Sequence, residues 1–202
     1  MSLPVLTYRC TSCSFMRLGS ITWGRGYYLA GESRLPMSSA AGWCHSCDDL
    51  RAIEVLPSAD AEVKLQDELA DLQSRLRVMD TSPPPRKRWW QFKTPKDSAR
   101  PFLESQLEAA KARLSDYQRL RQALAARNTH PRCLNCGAED CLRFPPYEVD
   151  YFDTAAPPVR IGFSHPGCGG ELTAACEGTR LAMNLTGQAY DLEGERLPEY
   201  SA

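Results

Sequence analysis

The sequence predicts an α+β protein in which two small β-rich, metal-stabilised modules are joined by an antiparallel helical hairpin of the coiled-coil kind. Three observations predict it. Four short ligand pairs stand at Cys10-x-x-Cys13, Cys44-x-x-Cys47, Cys133-x-x-Cys136 and His165-x-x-Cys168. Leucine seams with heptad rhythm fill the middle of the chain. Runs of β-branched and aromatic residues surround the ligand pairs. The expected domains are residues 1–57, 58–128 and 129–202 of the 202.

The ligand pairs carry the most chemistry. Two cysteines separated by two residues can offer both sulfurs to one metal, and two such pairs close a tetrahedron. Thirty residues separate the first two pairs and twenty-eight the last two, so one plan is used twice. The expected grouping is Cys10, Cys13, Cys44 and Cys47 on one ion and Cys133, Cys136, His165 and Cys168 on another, with zinc as the cofactor and two ions per chain. Buried apolar thiols or a redox pair are the alternative for the first set, and Cys141 and Cys176 are alternatives to His165 in the second. The opening residues show no basic stretch followed by an apolar run, so no secretory signal is expected. No apolar run approaches the ~20 residues that span a bilayer. The expected location is the cytoplasm, where nine cysteines read as thiolate ligands rather than as a disulfide framework.

Over about the first 56 and the last 70 positions these residues resemble zinc ribbons. The resemblance implies that each ligand pair forms a tight turn whose backbone amides face the sulfurs, eased by a glycine after the second ligand. Gly137 after Cys136, and Gly169 and Gly170 after Cys168, fit that pattern. The first two pairs lack the glycine, and the last begins with histidine, which zinc accepts. His45 lies inside a pair and is expected to face outward, while His130 has no evident partner. Such ribbons imply a fold and a metal but no particular activity.

The elements follow in order. Ile21 to Leu29 and Arg51 to Leu56 read as strands. Pro57 ends the first module, with Ser58 or Asp60 as helix cap. Leu65, Leu69, Leu72, Leu76 and Met79 then step by four and three, and Leu103, Leu107, Ala110, Leu114 and Tyr117 repeat the rhythm. Two such helices joined by about 18 residues fold back on each other, and the same seam could serve a dimer. Tyr147 to Phe152 and Val159 to Phe163 read as strands, and a closing β-hairpin is expected to turn near Thr186 and Gly187.

The segment between the helices, 81–97, is broken by prolines and forms the expected tip. Arg86, Lys87, Arg88, Lys93 and Lys96 give it a local charge of +5, which leaves −6 elsewhere from a net charge of −1. With Trp89, Trp90 and Phe92 these residues are the expected partner-binding site, the alternative being that the aromatics fold back as a small cap on the hairpin with the charges solvated. A protein groove suits the tryptophans and arginines as anchors; DNA or RNA, through phosphate attraction and base stacking, is the alternative. A membrane surface is a third. No residue is assigned a catalytic role. None of the three histidines has a glutamate two residues later, and the common hydrolase and nucleotide-binding signatures are missing. The expected function is that of a non-enzymatic zinc-binding adaptor or regulator. The alternatives are a nucleic-acid-binding protein and, third, a thiol-redox or zinc-dependent enzyme.

Overall fold

The computed structural model describes residues 2–22, 25–81, 96–182 and 187–200. In chain order the strands are β1 (Ser2–Cys10), β2 (Met16–Leu18), β3 (Arg25–Ala30), β4 (Ser33–Pro36), β5 (Ser38–Cys44), β6 (Asp49–Val55), β7 (Cys141–Arg143), β8 (Val159–Ser164), β9 (Glu171–Ala182) and β10 (Gly187–Tyr190). Helices α1 (Ala59–Thr81) and α2 (Lys96–Ala123) lie between β6 and β7. The chain is thus α+β, but it divides into two compact units, Met1–Leu56 with Ala126–Ala202, and Pro57–Ala125. The terminal modules expected as separate domains form one unit.

The strand pairing explains that correction. Each sheet draws strands from both sides of the helical segment: β2-β1-β9-β8, β10-β3-β4 and β6-β5-β7. β1 finds its long partner in β9, antiparallel, with Cys10 opposite Leu172. β5 lies between β6 and β7, with Cys44 opposite both Asp49 and Cys141. Neither terminal half has a sheet of its own to close.

Three further expectations are corrected. Among the described residues the closing β-hairpin is not present: β10 pairs in parallel with β3, Tyr190 opposite Tyr28, and β9 keeps β1 and β8 as neighbours. Burial drives this pairing, since Tyr28, Ala189 and Tyr190 are all almost wholly covered. Residues 147–152 are not a strand. Pro145 and Pro146 precede them, and the Asp150 and Asp153 carboxylates accept backbone N–H bonds from Phe152 and Ala155 at 2.8 and 2.9 Å, which favours turns. The strand expected from Ile21 begins only at Arg25, after a 3-10 turn at Gly19–Thr22.

In the first unit the main core gathers Leu6, Tyr8, Trp43, Phe144, Ile161 and Leu172. Trp43 stacks on Phe163 with ring centroids 6.1 Å apart. A second core element is ionic. Glu54 and Arg127, with side chains 0% and 2% exposed, join through two bonds of 2.6 Å. Glu54 also accepts from the Tyr28 hydroxyl and from the Arg132 backbone N–H at 3.1 Å. Arg127 donates to the carbonyls of Leu192 and His130. A buried charge persists only when it is paired and hydrogen-bonded, and both are here.

In the second unit the helices run antiparallel. Asp80 meets Arg100, Glu68 meets Arg113 at 2.6 Å, and Glu62 meets Arg121, so partners descend one helix as they ascend the other. Leu69, Leu72, Leu76 and Met79 pack on Leu103, Leu107 and Ala110. Ser58 caps α1, its hydroxyl accepting the Ala61 N–H at 3.2 Å. These helical stripes are the ones read from the sequence. Leu72→Ala should cost about 2–5 kcal/mol in this unit. Circular dichroism should record lost helix while the metal content stays constant; loss of metal would show the two units to be one cooperative block.

Candidate metal centres

All eight expected ligands converge, but in a different grouping. Cys10, Cys13, His165 and Cys168 form one cluster and Cys44, Cys47, Cys133 and Cys136 the other, with the ligand atoms of each within 4.8 Å of one another. The first knuckle therefore joins the fourth and the second joins the third. The expected grouping of neighbours in sequence is overturned by the sheets. β1 delivers Cys10 to the start of β9, just past Cys168, and an isolated bridge sets Ile53 of β6 opposite Cys133.

All four knuckles share one backbone plan. In three, the N–H of the first ligand donates to the carbonyl five residues on: Cys10 to Phe15, Cys133 to Ala138 and His165 to Gly170. In the fourth, Cys44 pairs with Asp49 across the same interval. The residue after the second ligand takes a left-handed conformation at Asp48 (φ 47°), Gly137 (φ 76°) and Gly169 (φ 68°). Aspartate tolerates that region better than most side chains, so the second knuckle dispenses with glycine.

The first centre has Cys10 and Cys168 sulfurs 3.4 Å apart, with His165 Nδ1 3.1 Å from Cys168 Sγ and 3.4 Å from Cys13 Sγ. In the second, Cys44 and Cys136 sulfurs are 3.6 Å apart and Cys47 and Cys133 sulfurs 4.0 Å. Zinc bonds near 2.3 Å to sulfur and near 2.0–2.1 Å to nitrogen give tetrahedral edges of about 3.5–3.8 Å. Both donor sets fit zinc in kind, number and spacing.

The surroundings differ. The His165 ring lies 4.6 Å from Phe15 and edge-on to Trp43 at 4.9 Å, which fixes its orientation. Cys44 is the residue after Trp43, so β5 presents successive side chains to the two centres. In the second centre Cys44 and Cys133 are 0% and 1% exposed. Burial pushes the Cys133 thiol above its ordinary range. Burial also raises Cys47, but contacts from Cys136, Asn135 and Arg51 prevail and hold it down to about 7. Asn135 Nδ2 stands 3.6 Å from Cys47 Sγ. Four thiolates around zinc carry a net charge of −2, and Arg51 beside Cys47 offsets part of it.

Cys141 and Cys176 lie outside both clusters. Each donates its thiol to a backbone carbonyl, of Pro131 at 3.4 Å and of Tyr151 at 3.2 Å. Burial pushes Cys141 up to about 11, as suits a packed thiol. His45 is exposed. Reading the sequence alone missed Arg51, the aromatic wall around His165 and the closeness of Gly170, where a Cβ would stand 2.5 Å from Cys10 Sγ and 2.6 Å from Ser12 Cβ. Gly170→Ala should therefore weaken the first centre alone, by about 1–3 kcal/mol of overpacking. Chelator competition on the metal-loaded chain should show one ion held more weakly and the other unchanged.

The tip residues Arg86, Lys87, Arg88, Trp89, Trp90, Phe92 and Lys93 lie outside the described residues, and Lys96 opens α2. Among the described residues no helix is long and apolar enough to cross a membrane. No protein-family model matches the chain, and neither the curated proteins nor the solved structures give a match.

Proposed function

We propose that the chain is a non-enzymatic zinc-binding adaptor or regulator whose two zinc ions are structural. The observation that carries this is the donor count: each cluster supplies four protein ligands. A catalytic zinc keeps one position for water or substrate, and four protein donors leave none. Each ion would join knuckles far apart in sequence, Cys13 to His165 across 152 positions and Cys47 to Cys133 across 86. The metals would thus do for this unit what a large apolar core does for a bigger domain. The second unit is an antiparallel pair of helices, and the basic aromatic segment between them in sequence suits a partner's surface.

Elemental analysis of protein purified without added metal tests the reading and should find close to two zinc per chain. One or none would overturn it. Titration of a partner recovered from native lysate at rising salt then separates the partner classes. Nucleic acid should dissociate steeply with ionic strength, while a tryptophan-anchored protein interface should not.

A further inference from the structure

We infer that the Cys10–Cys168 pair is an oxidative modification site through which a peroxide would release the first zinc and leave the second in place. This rests on the zinc reading of the preceding section. The geometry differs between the two centres in the respect that governs thiolate oxidation, which is access to the sulfur. In the first centre Cys13 and Cys168 are both exposed and His165 is partly so; in the second only Cys136 is exposed. The partner sulfur for Cys136 is that of Cys44, which is 0% exposed where Cys10 is 9%, and Cys47 is only partly exposed, with Asn135 Nδ2 3.6 Å from its sulfur. At the first centre the exposed Cys168 has a second thiolate 3.4 Å away on the facing knuckle, against 3.6 and 4.0 Å for the cross-knuckle sulfur pairs of the second.

The chemistry balances with hydrogen peroxide as the oxidant. The Cys168 thiolate attacks the peroxide, forming an S–O bond and breaking O–O, and hydroxide leaves as water after taking a proton. The Cys10 thiolate then attacks the Cys168 sulfur, an S–S bond forms, S–O breaks, and a second water departs. Two thiolates are oxidised by two electrons and the peroxide is reduced to two waters. Zinc loses two anionic ligands and is left with Cys13 and His165, too few to hold it. The new disulfide spans the same two elements, the end of β1 and the start of β9, that the metal had joined. Cross-linking is preserved while the ion is freed, so the product keeps its fold.

The test uses the whole, zinc-loaded chain, treated with hydrogen peroxide while a chromophoric chelator reads zinc release and mass spectrometry maps disulfides. One zinc should leave at least about tenfold faster than the other, with Cys10 linked to Cys168. Cys168→His, which keeps a ligand but removes the thiol, should abolish the fast phase. Simultaneous loss of both ions, no release, or a Cys44–Cys136 linkage would overturn the inference while leaving the zinc reading intact. Fewer than two zinc ions before treatment would overturn both.

Discussion

Replacing Cys133 with serine is expected to unfold the unit formed by 1–56 and 126–202 while α1 and α2 stay helical. The sulfur is 1% exposed and sits where the Cys133 backbone bridges Ile53, so no water can take its place at the ion. Structural zinc in small modules contributes about 10–16 kcal/mol, comparable to the whole net stability of a domain at about 5–15 kcal/mol. A serine hydroxyl is a poor zinc ligand and leaves the other three thiolates crowded together and repelling one another. Both zinc ions should leave, because Trp43 and Cys44 are adjacent on β5 and loss of one centre frees the wall of the other. Near-ultraviolet dichroism and zinc content should collapse together, with helical dichroism largely retained. A variant that kept one zinc and a native-like aromatic signal would show that the two centres are independent.

Arg127→Met is expected to cost about 3–5 kcal/mol, the penalty for stranding a buried partner. Glu54 is fully covered, and its remaining donors, the Tyr28 hydroxyl and the Arg132 backbone N–H, carry no formal charge. A carboxylate there without a guanidinium either protonates or pulls water into the core. The double variant Arg127→Met with Glu54→Gln removes both charges and should recover much of the loss, since replacing the whole of a buried pair is far less costly than breaking it. Urea unfolding of the zinc-loaded proteins reads both values. Equal destabilisation of the single and double variants would mean that shape, not charge, is what the site supplies.

The eight candidate ligands were legible because a tetrahedral metal site constrains spacing locally: two residues between partners is a property of one turn. Their grouping was not, because it depends on which strands pair across long stretches of sequence, β1 with β9 and β5 with β7. The gaps of thirty and twenty-eight residues made the wrong grouping look regular. The helices were legible for the same local reason, with Leu72 and Leu103 falling on the seam that the heptad rhythm marks. β10 illustrates the opposite case. Its four residues carry no signal that they will lie parallel to β3 rather than turn back on β9, and only the burial of Tyr28 and Tyr190 decides it. Arg127 carries no local signal that sets it apart from the other charges near the end of α2. Its role follows from Glu54, which lies in a strand where a carboxylate had no reason to be buried until its partner was in view.

The nested joining of the knuckles is tested most directly by replacing zinc with cadmium-113 and recording through-bond correlations from each cadmium nucleus to the cysteine β-protons. Two cadmium resonances are predicted. One should couple to Cys10, Cys13 and Cys168 and to the ring of His165, and the other to Cys44, Cys47, Cys133 and Cys136. A resonance coupled to Cys10, Cys13, Cys44 and Cys47 together would contradict the nested arrangement and restore two separate terminal modules.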